Sequence, residues 1–79
     1  DITLIKTLAN TENAYDVFSL AIAFETQAFD FYMRLASRAE KEEVKKFFVE
    51  MAEAERKHLQ FVSREMDKYI EEENELFID

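Results

Sequence analysis

The stretch AYDVFSLAIAFETQAFDFYMRLAS, residues 14–37, contains two apolar stripes whose steps of three and four residues are those of an α-helix. The first stripe comprises Phe18, Ile22, Glu25, Phe29, Tyr32 and Ala36, and the second comprises Val17, Ala21, Phe24, Ala28, Phe31 and Leu35. Together they cover more than half of the helix circumference, so this helix needs two packing neighbours. The stretch therefore predicts a helical bundle.

A second helical pattern begins after the periodicity breaks across residues 38–43. Its stripe comprises Val44, Phe48, Met51, Glu55, His58, Val62 and Tyr69, and it is widened by Phe47, Ala54 and Phe61. A connection of about five residues makes two helices antiparallel neighbours. The sequence predicts one domain over residues 1–79, with an entry segment at 1–10, a first helix at 11–38 that Thr11 caps, a second helix at 42–73 and a short tail at 74–79.

The composition favours an all-helical chain that does not complete its core alone. The 79 residues include no Gly, Pro or Cys, while 48% are hydrophobic and eight are Phe. A domain of this size buries only about 60% of its unfolded surface, so disulfides, metals or association usually supplement its core. Without Cys, disulfides, thiolate zinc sites, iron–sulfur clusters and cysteine nucleophiles are excluded. Metal binding or oligomerisation is therefore expected.

The charge of the chain excludes several classes of partner. The formal net charge is −8, and no basic cluster offsets it, so we expect no binding to nucleic acid or to anionic membranes. No apolar run approaches the roughly 20 residues of a membrane span, and the N-terminal segment lacks a signal-peptide core. We expect a cytoplasmic protein whose ligands are cations.

Two carboxylates interrupt otherwise apolar stripes. Glu25 lies in the first helix and Glu55 in the second, and their midpoint is Glu40, where the periodicity breaks. In an antiparallel hairpin, residues equidistant from the turn lie side by side, which places both carboxylates roughly 20 Å from the loop. A buried ionised carboxylate costs several kcal/mol unless it is protonated, paired or bound to metal. A shared metal ion explains both positions.

His58 completes a candidate ligand set, because it follows Glu55 by three residues on one helix face. The alternative for this pair alone is a solvated helix face. One hairpin offers two carboxylates and one imidazole, whereas two hairpins offer the ligand set of a di-iron carboxylate bundle. Four carboxylates also offset the charge of two divalent ions. Iron or manganese suits these ligands better than zinc, which remains a substitute.

Two further residues lie near this set. Tyr32 follows Glu25 by seven residues and is a candidate for hydrogen bonding to a ligand or for electron donation; its alternative is a core aromatic. Glu65 follows His58 by seven residues and is a candidate entry position for metal, against the alternative of a solvated carboxylate. The prediction is thus an antiparallel hairpin that dimerises into a four-helix bundle with two metal ions per dimer.

The segments FETQAFDFY (24–32) and AEAERKH (52–58) resemble the ligand helices of the rubrerythrin-like branch of the ferritin-like superfamily. The similarity covers about residues 18–66, and by it Glu25 corresponds to the single helix-borne ligand and Glu55 with His58 to the Glu-x-x-His pair. Longer members carry two hairpins in one chain, whereas this one is similar to encapsulated ferritins, whose two-helix subunits share an iron site. That likeness implies a homodimer, ring-like oligomers and association with a shell protein.

The resemblance implies a ferroxidase that oxidises Fe(II) for iron storage or detoxification. A second hypothesis is a peroxide-scavenging centre, which would need a separate electron donor because this chain lacks the Cys-ligated iron of rubrerythrins. A third is a metal-free helical interaction module, whose dimerisation would ignore chelators. A fourth is a segment of a larger enzyme whose other half completes the site.

Overall fold

The computed structural model describes residues 2, 3, 6, 10 and 13–77. Two long helices occupy most of this part of the chain: α1 at Ala14–Arg38 and α2 at Glu42–Phe77, packed against each other with no strand among the described residues. They run antiparallel, because Phe18 near the start of α1 contacts Tyr69 near the end of α2, with ring centroids 6.0 Å apart. The predicted all-helical hairpin is confirmed.

An asparagine cap sets the start of α1. The side chain of Asn13 accepts hydrogen bonds from the backbone N–H groups of Tyr15 at 2.9 Å and Asp16 at 3.4 Å, which satisfies two donors of the first turn. Asp16 also places a negative charge at the positive end of the helix dipole. The structure begins α1 at Ala14, after the Asn13 cap, and not at residue 11 as predicted; Thr11 itself lies outside the described residues.

The connection between the helices is three residues long and centred on Glu40, as the break in periodicity indicated. The Ala39 N–H closes α1 by donating to the Leu35 carbonyl at 3.0 Å, and the Lys41 carbonyl opens α2 by accepting from the Lys45 N–H at 3.0 Å. Such a short connection allows the helices to pack directly against each other.

The second helix continues to Phe77, so the predicted tail from residue 74 was wrong. No Gly or Pro stops the helix, and Glu and Leu are good helix formers. At 36 residues against 25 for α1, α2 extends past its neighbour at the open end of the hairpin. The described residues contain no helix long and apolar enough to cross a membrane.

Part of the predicted entry segment is helical. Ile2, Thr3, Lys6 and Asn10 are helical and exposed, and the Asn10 side chain donates to the Lys6 carbonyl at 2.8 Å. The apolar residues that suggested this segment, at positions 5 and 8, lie outside the described residues.

The hairpin is a single layer of helices. Its extents are 58 × 28 × 12 Å, and 12 Å is about the diameter of one helix with its side chains. The radius of gyration is 16.4 Å, compared with about 12 Å for a compact chain of this length. Only Ala36 and Ala52 are fully buried among the described hydrophobic residues. The accessible surface of 6520 Å² exceeds by about 1,500 Å² that of a typical folded monomer of this mass.

Much of the exposed apolar surface forms one side of the hairpin, which we call the open face. On α1 and α2 it comprises, at seven-residue spacing, Val17, Phe24, Phe31, Phe47, Ala54 and Phe61, all of them exposed. Both sets lie about a quarter-turn from the stripes that pack α1 against α2, in the same sense along each chain. Because the helices are antiparallel, that rotation brings both sets to the same side.

Candidate metal centre

Three potential ligands meet where the two helices are level with each other. Glu25 lies on α1, and Glu55 and His58 lie on α2, and one ligand atom from each falls within 4.8 Å of the others. His58 Nδ1 is 3.7 Å from Glu25 Oε2 and 3.9 Å from Glu55 Oε2. The sequence therefore predicted correctly which residues come together; their role as metal ligands stays a prediction.

The direction of helical side chains explains why His58 takes part. Side chains lean toward the N-terminus of their own helix, so Glu25 leans away from the loop while Glu55 and His58 lean toward it. His58, three residues farther from the loop than Glu55, thereby comes level with the Glu25 carboxylate. The antiparallel pairing and the i, i+3 spacing together produce the cluster.

The two carboxylates are largely enclosed, while the imidazole is not. The exposed fractions of the side chains are 25% for Glu25, 19% for Glu55 and 64% for His58. Glu25 Oε2 is buried without a hydrogen-bond partner, which is costly for a carboxylate oxygen unless a cation or a donor meets it. His58 lies on the side of α2 that turns toward the open face. The cluster therefore opens onto that face.

The proximity of the two carboxyl groups raises the pKa of Glu25 above its ordinary value. The largest cause is the hydrogen bond that the Glu55 carboxyl group offers when one of the two groups is protonated, followed by burial and by the negative charge of Glu55, while His58 acts in the opposite direction. A hydrogen bond between two carboxyl groups requires one of them to be protonated. When both are ionised they repel each other, and a bound cation relieves that repulsion.

No Lys or Arg among the described residues pairs with the cluster. Arg56 and Lys57 separate Glu55 from His58 in sequence but project from other sides of α2. Arg56 pairs with Glu53, with its Nε 3.1 Å from both carboxylate oxygens, and this pairing lowers the pKa of Glu53. The negative charge of Glu25 and Glu55 is thus left for a cation other than Lys or Arg.

The donor set fits a divalent ion such as iron. Two atoms bound to one ion at about 2.1 Å are at most about 4.2 Å apart, and both distances from His58 Nδ1 fall within that limit. Two carboxylates and one imidazole also suit iron or manganese. Three groups from one chain are too few for two ions, so a dinuclear centre needs ligands from elsewhere.

The other candidate residues lie outside the cluster. Tyr32 is partly buried, and its ring packs edge-on against Phe31 with centroids 5.7 Å apart; no hydrogen bond to its hydroxyl exists among the described residues. Glu65 pairs instead with Lys68 at 3.4 Å. Their proposed roles in electron donation and metal entry stay predictions.

A surface depression on α2 is unrelated to the cluster. It is lined by Leu59, Gln60, Ser63 and Arg64, which lie on the side of α2 away from His58. None of these residues carries a carboxylate or an imidazole, so the depression offers no comparable metal site.

A comparison with protein families agrees with the helical fold. A model of the rubrerythrin family matches residues 16–79. This segment contains all of α2, all of α1 except its first two residues, and the three cluster residues. No curated protein and no solved structure gives a significant match.

Proposed function

Because this chain belongs to the rubrerythrin family, we propose that it is a di-iron carboxylate protein that oxidises Fe(II) at a site shared between two copies of the chain. The observation that carries the proposal is the cluster of Glu25, Glu55 and His58, whose ligand atoms lie within 4.8 Å of one another. The unpartnered Glu25 oxygen supports cation binding there.

Ligand number and surface area support a site shared between two copies. One chain offers three ligand groups, whereas two chains offer four carboxylates and two imidazoles, as in di-iron bundles. The surface in excess of a compact monomer, about 1,500 Å² per chain, would give about 3,000 Å² for two chains. That total lies within the range of obligate homodimers. Pairing through the open face would cover the exposed imidazole and enclose the site.

The residues would act mainly through charge and position. Two Fe(II) ions give up one electron each, and the pair reduces hydrogen peroxide with two protons to two water molecules, or dioxygen with two protons to hydrogen peroxide. Four carboxylates stabilise the Fe(III) products more than the Fe(II) substrates, because the added positive charge is attracted more strongly. The His58 of each copy would supply one nitrogen ligand to one ion, and the phenylalanines of the open face would exclude water around the site.

The decisive experiment is an anaerobic Fe(II) titration of the metal-free protein, with bound iron and mass by light scattering as readouts. Wild type is expected to bind one iron per chain and to be a dimer, and addition of peroxide or oxygen is expected to give Fe(III) absorbance. Glu55→Gln is expected to bind at least tenfold less tightly, because it removes a charged ligand while keeping the side-chain size.

Glu53→Gln is the matched control, since it removes a carboxylate from the same helix two residues away, at a site that pairs with Arg56. Equal loss of iron binding in both variants would mean that overall charge rather than the cluster holds iron. A tight dimer that binds no iron would overturn the ferroxidase proposal in favour of a metal-free interaction module.

A further inference from the structure

We propose that Ala54 sets how closely two copies of the chain approach each other at the metal centre, and thereby whether their ligands can hold a pair of ions. The inference rests on the proposed function, because it takes the centre to be shared across the open face. Ala54 binds no metal itself. It is a positioning residue that acts through the space left by its small side chain.

Ala54 interrupts a row of large side chains on α2. Phe47 and Phe61 lie seven residues before and after it, about 10 Å along the helix in each direction, and they are 55% and 59% exposed. Ala54 is exposed as well, but its side chain is a single methyl group. On α1 the open-face residue near this level is Phe24, so the recess belongs to α2 alone. The row on α2 therefore has a recess beside Glu55, at the level of the metal centre.

The imidazole of His58 uses part of this recess. His58 follows Ala54 by four residues, so the two lie on the same side of α2. A long side chain in a helix leans over the positions three and four residues before it, which for His58 are Glu55 and Ala54. The distances of 3.7 Å and 3.9 Å from His58 Nδ1 to the two carboxylates agree with this orientation. A bulky side chain at position 54 would therefore crowd the imidazole on the side away from Glu55.

The second copy needs the rest of the recess. Two ions in a shared centre lie about 3.5 to 4 Å apart, and each ligand atom lies about 2 Å from its ion. The carboxylates of both copies must therefore come close together at the level of Ala54. Packed helices lie about 8 to 10 Å apart, depending on the side chains at the contact. A methyl group there allows close approach, whereas a phenylalanine ring would hold the ligand sets apart.

Association and closeness at the centre have different determinants on this model. The phenylalanines on either side of the recess supply most of the exposed apolar area of α2. They can hold two copies together even when the centre is too wide for two ions. Enlarging the residue at position 54 is therefore expected to separate metal binding from dimerisation.

Ala54→Phe is the test variant, and Mn²⁺ is the metal used as probe. Ala54 is exposed in the hairpin, so the monomer is expected to fold, as circular dichroism and urea unfolding will check. The dimer is expected to persist in sedimentation velocity, because the substitution adds apolar area to the face. The dissociation constant for Mn²⁺ is expected to rise at least about tenfold. Electron paramagnetic resonance is expected to change from the spectrum of a coupled ion pair to that of isolated ions.

Two control variants separate size at the centre from size on the face. Val17→Phe adds the same ring to the open face, eight residues or about 12 Å from Glu25, and is expected to change Mn²⁺ affinity by less than about twofold. Ala54→Ser keeps a small side chain and is expected to retain the coupled spectrum. Ala54→Leu is a smaller enlargement at the same position, and it serves as the test if Ala54→Phe does not fold.

The outcomes distinguish this inference from the proposed function. A coupled Mn²⁺ pair of unchanged affinity in both Ala54→Phe and Ala54→Leu would overturn the role of Ala54 and leave the proposed function standing. An equal loss of affinity in Val17→Phe would also overturn it, because any enlargement of the face would then suffice. Loss of the dimer in Ala54→Phe would mean that position 54 determines association itself, against the proposal. Wild-type protein that binds no Mn²⁺, or only isolated ions, would refute the shared centre and the role of Ala54 with it.

Discussion

Replacement of Phe61 by Gln tests whether the open face is the dimer interface. Phe61 is 59% exposed in the hairpin, which for a side chain of about 200 Å² leaves about 120 Å² available for burial by a partner. At about 25 cal/mol per Å², full burial contributes about 3 kcal/mol, and the Gln stem retains part of this. We therefore expect the free energy of dimerisation to weaken by about 2 kcal/mol per copy and about 4 kcal/mol per dimer, which makes the dissociation constant about a thousandfold larger.

The assay is sedimentation velocity over a series of concentrations, with urea unfolding of the monomer as a second measurement. Phe61→Gln is expected to change monomer stability by no more than about 0.5 kcal/mol, because the side chain is exposed there. Val49→Gln is the matched control, since Val49 is 44% exposed on the opposite side of α2. An unchanged dissociation constant for Phe61→Gln would refute the open face as the interface, and a larger effect of Val49→Gln would assign association to the other side.

Three further predictions concern the site and the helix ends. In the metal-free protein the folded state raises the pKa of Glu25, so the contribution of this group to stability is full at acidic pH and is lost as pH rises through the folded pKa. Glu25→Gln is expected to remove this pH dependence of stability and to raise the midpoint of urea unfolding at pH 7. His58→Ala is expected to weaken anaerobic Fe(II) binding at least tenfold with unchanged helicity by circular dichroism, and equal binding would remove His58 from the ligand set. Asn13→Ala is expected to lower the free energy of unfolding by about 1 kcal/mol through loss of the N-cap, and no change in a urea titration would contradict that role.

The position of the cluster was predictable because antiparallel pairing obeys simple arithmetic. Once the periodicity break was placed at Glu40, Glu25 and Glu55 had to be level, and the structure has a three-residue connection centred there. His58 was placed within the packed stripe, yet its side chain is 64% exposed. His58 lies about 60° around α2 from Glu55, and that difference turns the imidazole toward the open face.

The helix ends were less predictable, for two different reasons. Thr11 and Asn13 are both acceptable N-caps, and local sequence does not choose between two caps two residues apart. At the other end, the acidic side chains at residues 71–73 and 75 oppose the helix dipole and so disfavour the last turns of α2. That effect is small, and without Gly or Pro the favourable propensity of Glu and Leu carries α2 to Phe77.

A hairpin only one helix thick has a consequence for how this sequence tolerates change. In most domains the residues that stabilise the fold and those that recognise a partner are different sets, so one set can vary while the other is preserved. Here only two alanines are fully buried among the described hydrophobic residues, and the other apolar side chains are partly or largely exposed to solvent. If the open face is the interface between two copies proposed above, a substitution that weakens the packing of α1 against α2 is also expected to weaken association, and compensating changes are expected at pairs of positions that meet across that interface.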